Sequence, residues 1–156
     1  MNRILKILMV VLLMTMTPAT MPADYKTAVT LTATPNPGYE FVKWSNGTEA
    51  EDYTEGNVFN TTVPAADITW TAYFQAATYT IKAVANTDVM GTATVNGATE
   101  TTAAFGSSIT FAYTENEGYE FVNWTNSSAV VINPAAETVP VDGDTYTANF
   151  HALQFD

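Results

Sequence analysis

The sequence predicts a mainly β protein of two tandem repeat modules, each a small β-sheet or sandwich and the first incomplete, preceded by a helical signal peptide. Three observations predict this fold class. Apolar residues alternate with threonine over several segments, turn-forming residues separate those segments, and one seven-residue block occurs twice. The chain has 156 residues and no cysteine, so disulfides cannot support the modules.

The N-terminal segment, residues 1–23, has the layout of a secretory signal. Arg3 and Lys6 supply positive charge around the start of an apolar run that continues to Met14, and small residues and prolines follow. A helix over residues 4–14 would span roughly 16 Å at ~1.5 Å per residue, about half of a ~30 Å hydrocarbon core. We therefore expect cleavage after Ala19 or Ala23, secretion, and no membrane association of the mature chain.

After residue 24 the apolar period becomes that of strands with one buried face. Threonine fills most of the alternate positions, because it is β-branched yet remains polar toward water. Turn formers such as Asn96-Gly97 and Asp142-Gly143 separate the segments. The predicted inward residues are Val29, Leu31 and Ala33; Trp70, Ala72 and Phe74; Tyr79, Ile81 and Ala83; and Ile109, Phe111 and Tyr113.

An internal duplication divides the exported chain. Gly38–Trp44 recurs as Gly118–Trp124 at an offset of 80, and Thr71–Phe74 recurs as Thr147–Phe150 at an offset of 76. Residues 77–151 form a complete repeat that begins with a predicted hairpin, Tyr79–Asn86 followed by Thr92–Asn96. Residues 27–76 form a partial repeat, since no counterpart of that hairpin stands before it.

The recurring residues have a structural interpretation. A glycine in each copy allows a tight reversal with positive φ, and the tyrosine and phenylalanine that follow point to one face. The tryptophan has the opposite parity, so the strand must bulge or end before it if the ring is to join the core. The structural motif comprises Gly38, Tyr39, Phe41, Trp44 and Phe74, and Gly118, Tyr119, Phe121, Trp124 and Phe150.

The composition excludes several function classes. A net charge of −11 argues against nucleic-acid binding, which requires clustered Lys and Arg. His151 is the single histidine and lies near the C-terminus, and no Gly-x-Ser-x-Gly elbow is present. The turn acids lack the ligand spacing of a Ca²⁺-binding EF-hand loop. We expect no catalytic residues, no cofactor and no metal site.

The duplicated block resembles a known family. A strand ending in Thr32-Ala33, then Gly38-Tyr39, Phe41 and Trp44, closed by Thr71-Ala72-Tyr73-Phe74, is similar to the divergent InlB B-repeat, a bacterial repeat domain. The second copy matches through Gly118-Tyr119, Phe121, Trp124 and Thr147-Ala148-Asn149-Phe150. The resemblance implies a compact β-grasp-like sheet in tandem repeats of large secreted or surface-attached proteins, without enzymatic activity.

Two functions follow as expectations. The first is a non-catalytic extracellular spacer or adhesion-type module of the cell surface, whose partners are a surface protein or a glycan, with further repeats if the chain is a fragment. The alternative is a carbohydrate-binding module in which tyrosine and tryptophan rings stack on sugars. Recurrence of the rings within an alternating pattern favours a packing role over such a platform.

Overall fold

The computed structural model describes residues 26–48, 52–66 and 68–154. These residues contain no helix, and accordingly none that could cross a membrane. The predicted signal peptide, residues 1–23, lies outside the described residues. The chain divides between Ala76 and Ala77 into two compact units, here called unit 1 and unit 2. The prediction of a mainly β protein is confirmed.

Unit 1 consists of two antiparallel strand pairs. The first strand pairs with the third and the second with the fourth. The first and third strands and most of the second show the alternation of exposed and partly buried residues that the threonine pattern predicts, whereas the fourth strand has no exposed residue. The strands are β1 (Ala28–Thr32), β2 (Tyr39–Ser45), β3 (Val58–Thr62) and β4 (Thr71–Ala76).

Unit 2 is larger and has two layers. Its strands are β5 (Thr78–Ala85), β6 (Gly91–Val95), β7 (Glu100–Ala104), β8 (Phe111–Glu115), β9 (Tyr119–Thr125) and β10 (Asp144–Ala152). A four-stranded sheet has the order β7-β5-β10-β9, and β6 pairs with β8 as a separate ribbon. The first and last strands of the unit, β5 and β10, run parallel at the centre of the sheet, and their other neighbours are antiparallel.

The predicted hairpin at the start of unit 2 is wrong in its pairing. Both strands exist, but β5 bonds to β7 and β10, whereas β6 bonds to β8. The chain changes layer between them, and Ala93 and Val95 of β6 are buried with Ile81 and Ala83 of β5. Two apolar faces bury more surface when they pack against each other than when they lie side by side in one sheet.

The strand pairs β2–β4 and β9–β10 have the same register, including one irregularity. In unit 1, Phe41 pairs with Phe74 and Lys43 pairs with Tyr73, so Val42 has no partner. The extra residue restores Trp44 to the face of Phe41. Unit 2 repeats the arrangement, with Phe121 opposite Phe150, Asn123 opposite Asn149, and Val122 unpaired. The bulge predicted from the parity of the tryptophan is confirmed.

The two units differ in their cores. The unit 2 core contains ten buried apolar residues from β5, β6, β9, β10 and the loops, whereas the unit 1 core contains Ala33, Trp44 and Phe74. The described part of unit 1 has no counterparts of β5, β6 and β7. Unit 1 instead has a longer pairing between β1 and β3, which extends along five residues. At the matching positions unit 2 has one bridge, between Ser108 and Thr138.

We predict that Trp124→Ala lowers the free energy of unfolding of unit 2 by about 3–5 kcal/mol, the usual cost of emptying a large aromatic site. The indole is 3% exposed and contacts Phe111 and Phe121. Denaturant unfolding followed by circular dichroism measures the change. In Trp124→Ala the remaining tryptophans are Trp44 and Trp70, so the fluorescence of that variant reports unit 1 separately. Val122→Ala is the matched control, because that bulge residue is 49% exposed. A Trp124→Ala loss as small as that of Val122→Ala would contradict the assignment.

Candidate functional site

The strand pair that carries the repeated block begins at a glycine turn. Gly38 has φ 85° and Gly118 has φ 86°, a region that glycine enters without strain from a Cβ atom. The turn is closed by the main-chain N–H of Tyr39, which donates to Asn36 at 3.0 Å, and in unit 2 by Tyr119 donating to Asn116 at 3.1 Å. The glycines therefore set where β2 and β9 begin.

The rings beyond the turn pack alike in both units. Phe41 lies 6.0 Å from Trp44 and 6.0 Å from Phe74, the latter edge-on. The corresponding distances in unit 2 are 6.1 Å from Phe121 to Trp124 and 5.8 Å from Phe121 to Phe150. Tilted and edge-to-face contacts suit the charge distribution of aromatic rings. The triad is a packing unit that the duplication has reproduced.

Both indoles are turned away from solvent. Trp44 is 6% exposed and Trp124 is 3% exposed. The Nε1 of Trp44 donates to the main-chain oxygen of Asn57 at 3.4 Å, which occupies its polar edge. A ring must present an open face to stack on a sugar, and neither tryptophan does so.

Tyr113 is the exposed aromatic residue whose position the alternation does not explain. It is 44% exposed and stacks face to face on Phe121, with ring centroids 4.0 Å apart and planes 10° apart. Its counterpart in unit 1, Ala33, is fully buried. The sequence pattern predicts that Tyr113 faces inward, and nothing in that pattern reveals its exposure.

The outer face of the bulged pair differs between the units. In unit 1, Lys43 Nζ lies 2.5 Å from Asp52 Oδ2 and 5.3 Å from the centre of the Tyr73 ring. The hydrogen bond from Lys43 holds the pKa of the Asp52 carboxyl below its ordinary value. In unit 2, Asn149 Nδ2 donates to Asn123 Oδ1 at 2.8 Å and to Thr125 Oγ1 at 3.2 Å.

Several acidic side chains accept hydrogen bonds from main-chain N–H groups. Glu115 Oε1 accepts from Phe121 N at 2.8 Å, and Asp144 Oδ1 accepts from the main-chain N–H groups of Ser127 and Thr145. At the surface, His151 Nε2 lies 2.6 Å from Glu120 Oε1. Within the ranges that the structure describes, no three His, Asp or Glu side chains lie close enough to share a metal ion.

One open polar depression, of about 340 Å³, lies in unit 2. Two carboxylates and one ammonium line it, together with hydroxyl groups and a glycine. The glycine approaches the β5 main chain so closely that a Cβ would lie 1.9 Å from the Thr80 oxygen. The lining residues are Thr80, Lys82, Ser127, Asp142, Gly143, Asp144 and Thr145.

The core phenol of unit 2 titrates abnormally. Tyr146 is 1% exposed, and burial, with smaller effects from Asp144 and Glu137, raises its pKa to about 12. A raised pKa means that the unfolded chain ionises first as the pH increases. The stability that the protonated phenol contributes is therefore complete below about pH 10 and is lost between about pH 10 and 12.

We predict that Tyr146→Phe removes this alkaline loss. The stability of the unmodified protein should fall more steeply above pH 10 than that of the variant, because Phe has no proton to lose. Thermal unfolding measured by calorimetry from pH 8 to 11 provides the test. Tyr113→Phe, at an exposed tyrosine, is the control and should leave the slope unchanged. Parallel pH profiles for unmodified protein and Tyr146→Phe would contradict the prediction.

Comparison with known proteins identifies the repeats. The sequence profile of the divergent InlB B-repeat domain matches the chain twice, over residues 15–78 and 79–154, and the first match begins within the predicted signal peptide. No curated protein and no solved structure matches the chain. The resemblance carried by the Gly-Tyr-x-Phe-x-x-Trp block is confirmed. The chain belongs to the divergent InlB B-repeat family.

Proposed function

We propose that the chain is a non-catalytic, exported bacterial repeat protein whose units act as structural spacers or adhesion-type modules at the cell surface. Domains of this family are typical of bacterial surface or extracellular proteins. The contacts of the side chains support the proposal. The repeated rings pack in the cores, and several acidic residues of the turns accept hydrogen bonds from the main chain. We expect no turnover on a panel of polysaccharides.

The strand order of unit 2 carries the spacer proposal. A tensile load on a repeat protein enters at one chain end and leaves at the other. In unit 2 those ends are the start of β5 and the end of β10, which are parallel neighbours. Pulling them apart slides one strand along the other, so the hydrogen bonds between them must break together. Such shear resists force better than the opening of one bond at a time.

Unit 1 lacks this protection among its described residues. Its first strand, β1, pairs with β3, and its last strand, β4, pairs with β2. No hydrogen-bonded ladder joins β1 to β4, so tension between them does not load one row of bonds in shear. The smaller core also offers less resistance. We infer that unit 2 is the load-bearing module and that unit 1 yields first.

We predict two unfolding events when the full chain is stretched in a force spectrometer. The segment released in the weaker event should have a contour length of about 180 Å and that released in the stronger event about 270 Å, at roughly 3.6 Å per residue for residues 26–76 and 77–152. Each measured increment is shorter than this by the end-to-end distance of the folded unit. Forced unfolding reports the unfolding barrier, which the shear geometry raises. A stronger event with the shorter contour length would contradict the assignment.

A change of pulling direction provides the control. The chain has no cysteine, so introduced thiols are unique attachment points. Thr87→Cys with Leu153→Cys places both handles at the same end of the β5–β10 pair, where force separates the bonds one by one. The unfolding force of unit 2 should then fall to less than half of its end-to-end value. Equal forces in both directions would exclude the shear mechanism.

Tyr113 favours carbohydrate binding as a second candidate function. Its ring is 44% exposed and is held flat on Phe121, the orientation that sugar stacking requires. Binding on a glycan array that is lost in Tyr113→Ala, with the melting temperature retained, would support this function. Val89→Ala, at an exposed residue of the same unit, is the control. No binding by the unmodified chain would leave the spacer role as the better account.

A further inference from the structure

The inner edge of β10 in unit 2 is fully occupied. The main-chain oxygen of Ala148 accepts from Asn86 N at 2.9 Å, at the end of β5. The side chain of Asn86 continues the pairing, since its Nδ2 donates to the oxygen of Phe150 at 3.0 Å and its Oδ1 accepts from Phe150 N at 3.2 Å. β5 and one asparagine thus satisfy the main chain of both residues on this edge.

Among the described residues, the matching edge of β4 in unit 1 has no strand partner. Ala72 and Phe74 of β4 correspond to Ala148 and Phe150, and the β2–β4 register equals the β9–β10 register. Trp44, opposite Ala72, bonds through its own N and O to Tyr53, so the main chain of Ala72 points away from β2. Phe74 lies two residues further along β4, so its main-chain groups point to the same side as those of Ala72. Among the described residues β4 pairs with β2 alone, and no partner occupies this edge.

The side chains along the two edges differ in the same way. Tyr146, Ala148 and Phe150 of unit 2 are 1%, 0% and 3% exposed in the core that they form with residues of β5, β6 and β9. The exposed fractions of their counterparts in unit 1 are higher. Trp70 and Ala72 are half-buried, and Phe74 is 8% exposed. The unit 1 edge therefore combines unpaired main-chain groups with incompletely buried apolar side chains, which is the combination that an added strand satisfies.

We propose that unit 1 is an acceptor for a β-strand, which adds in parallel to β4 as β5 adds to β10. The strand that fits has the chemistry of β5: threonine on the outer face, Ile and Ala at alternate inward positions, and an asparagine at the end for Phe74. In unit 2 the inward residues Ile81 and Ala83 are buried in one cluster with residues of β10 and of β6. The described part of unit 1 has no counterpart of β6, so the inward side chains of an added strand pack there beside Trp70, Ala72 and Phe74. The main-chain bonds supply affinity and the inward residues supply specificity.

The donor is a segment of another polypeptide rather than a second copy of this chain. In this chain β5 is bonded on both sides, to β7 and to β10, and Ile81 lies in the core of unit 2. A second copy would have to unfold its own unit 2 to lend the strand. A different protein with an exposed, extended segment of this pattern has no such cost.

The test uses a synthetic peptide of residues 77–87 and the full chain. Peptide binding is measured by fluorescence anisotropy, and the contact is located by amide hydrogen exchange. We expect the peptide to slow exchange at Ala72 and Phe74 about tenfold or more, since each gains a hydrogen bond. The amides of Ala148 and Phe150 are the internal control and should not change, because their edge is already filled.

Peptide variants test the pairing directly. In unit 2 the N–H of Ala83 donates to the main-chain oxygen of Thr99, just before β7, so by alternation that of Val84 faces β10. N-methylation at Val84 should weaken binding about tenfold, the value of one good hydrogen bond, whereas N-methylation at Ala83 should have little effect. Peptide Asn86→Ala should abolish the protection of Phe74 and keep that of Ala72. Ile81→Asp should prevent binding.

Each contrary outcome overturns the proposal. Protection that appears at Ala148 and Phe150 would mean exchange with β5 of unit 2. Equal losses from the two N-methylated peptides would mean contact without strand pairing. Concentration-dependent dimers in sedimentation that lose protection of the β5 amides would identify a second copy as the donor. No protection of Ala72 under saturating peptide would exclude a strand-binding edge.

Discussion

The single unpaired residue in each bulged strand, Val42 in β2 and Val122 in β9, is the constraint on which both units depend. Successive side chains of a strand alternate between two faces, so Phe and Trp three positions apart would fall on opposite sides. The extra residue brings both rings to one face. Without it one of these two rings would be exposed to water, a loss of several kcal/mol at ~25 cal/mol per Å².

The two copies show how much this shared element determines. The bulged pair, the glycine turn and the aromatic triad are the same in both, with ring distances that differ by no more than 0.2 Å between matched pairs. Most of the structure around it differs. In unit 2 the strands β5 and β7 extend the sheet of the bulged pair and β6 pairs with β8 as a separate ribbon, whereas the described part of unit 1 has the β1–β3 ribbon. The same bulged strand pair is thus combined with different strands in the two units. Those strands determine how deeply its side chains are buried and which strand edges remain unpaired among the described residues.

The outer faces are free to vary because they do not pack. An ammonium, a carboxylate and a tyrosine ring in unit 1 occupy the place that an asparagine and threonine network fills in unit 2. Exposed polar groups contribute little net stability, and each arrangement is joined by its own hydrogen bonds, although Asp52 Oδ1 in unit 1 is buried without a hydrogen-bond partner among the described residues. The interior recurs where packing demands it, and the exterior is where repeats of one family can acquire different surface chemistry.

The sequence alone determined the β class, the duplication, the family and the inward direction of most rings, because alternation and internal repetition are local properties of the chain. The need for a bulge also followed from the spacing of Phe121 and Trp124. The parity of Tyr113 did not disclose that its ring lies on Phe121 in contact with water. Tertiary structure alone decided that β5 and β6 separate into different layers, and that β5 lies parallel to β10. These pairings join residues that are far apart in the chain. The choice among them depends on how much apolar surface the whole unit buries, and that quantity cannot be derived from any single segment of the sequence.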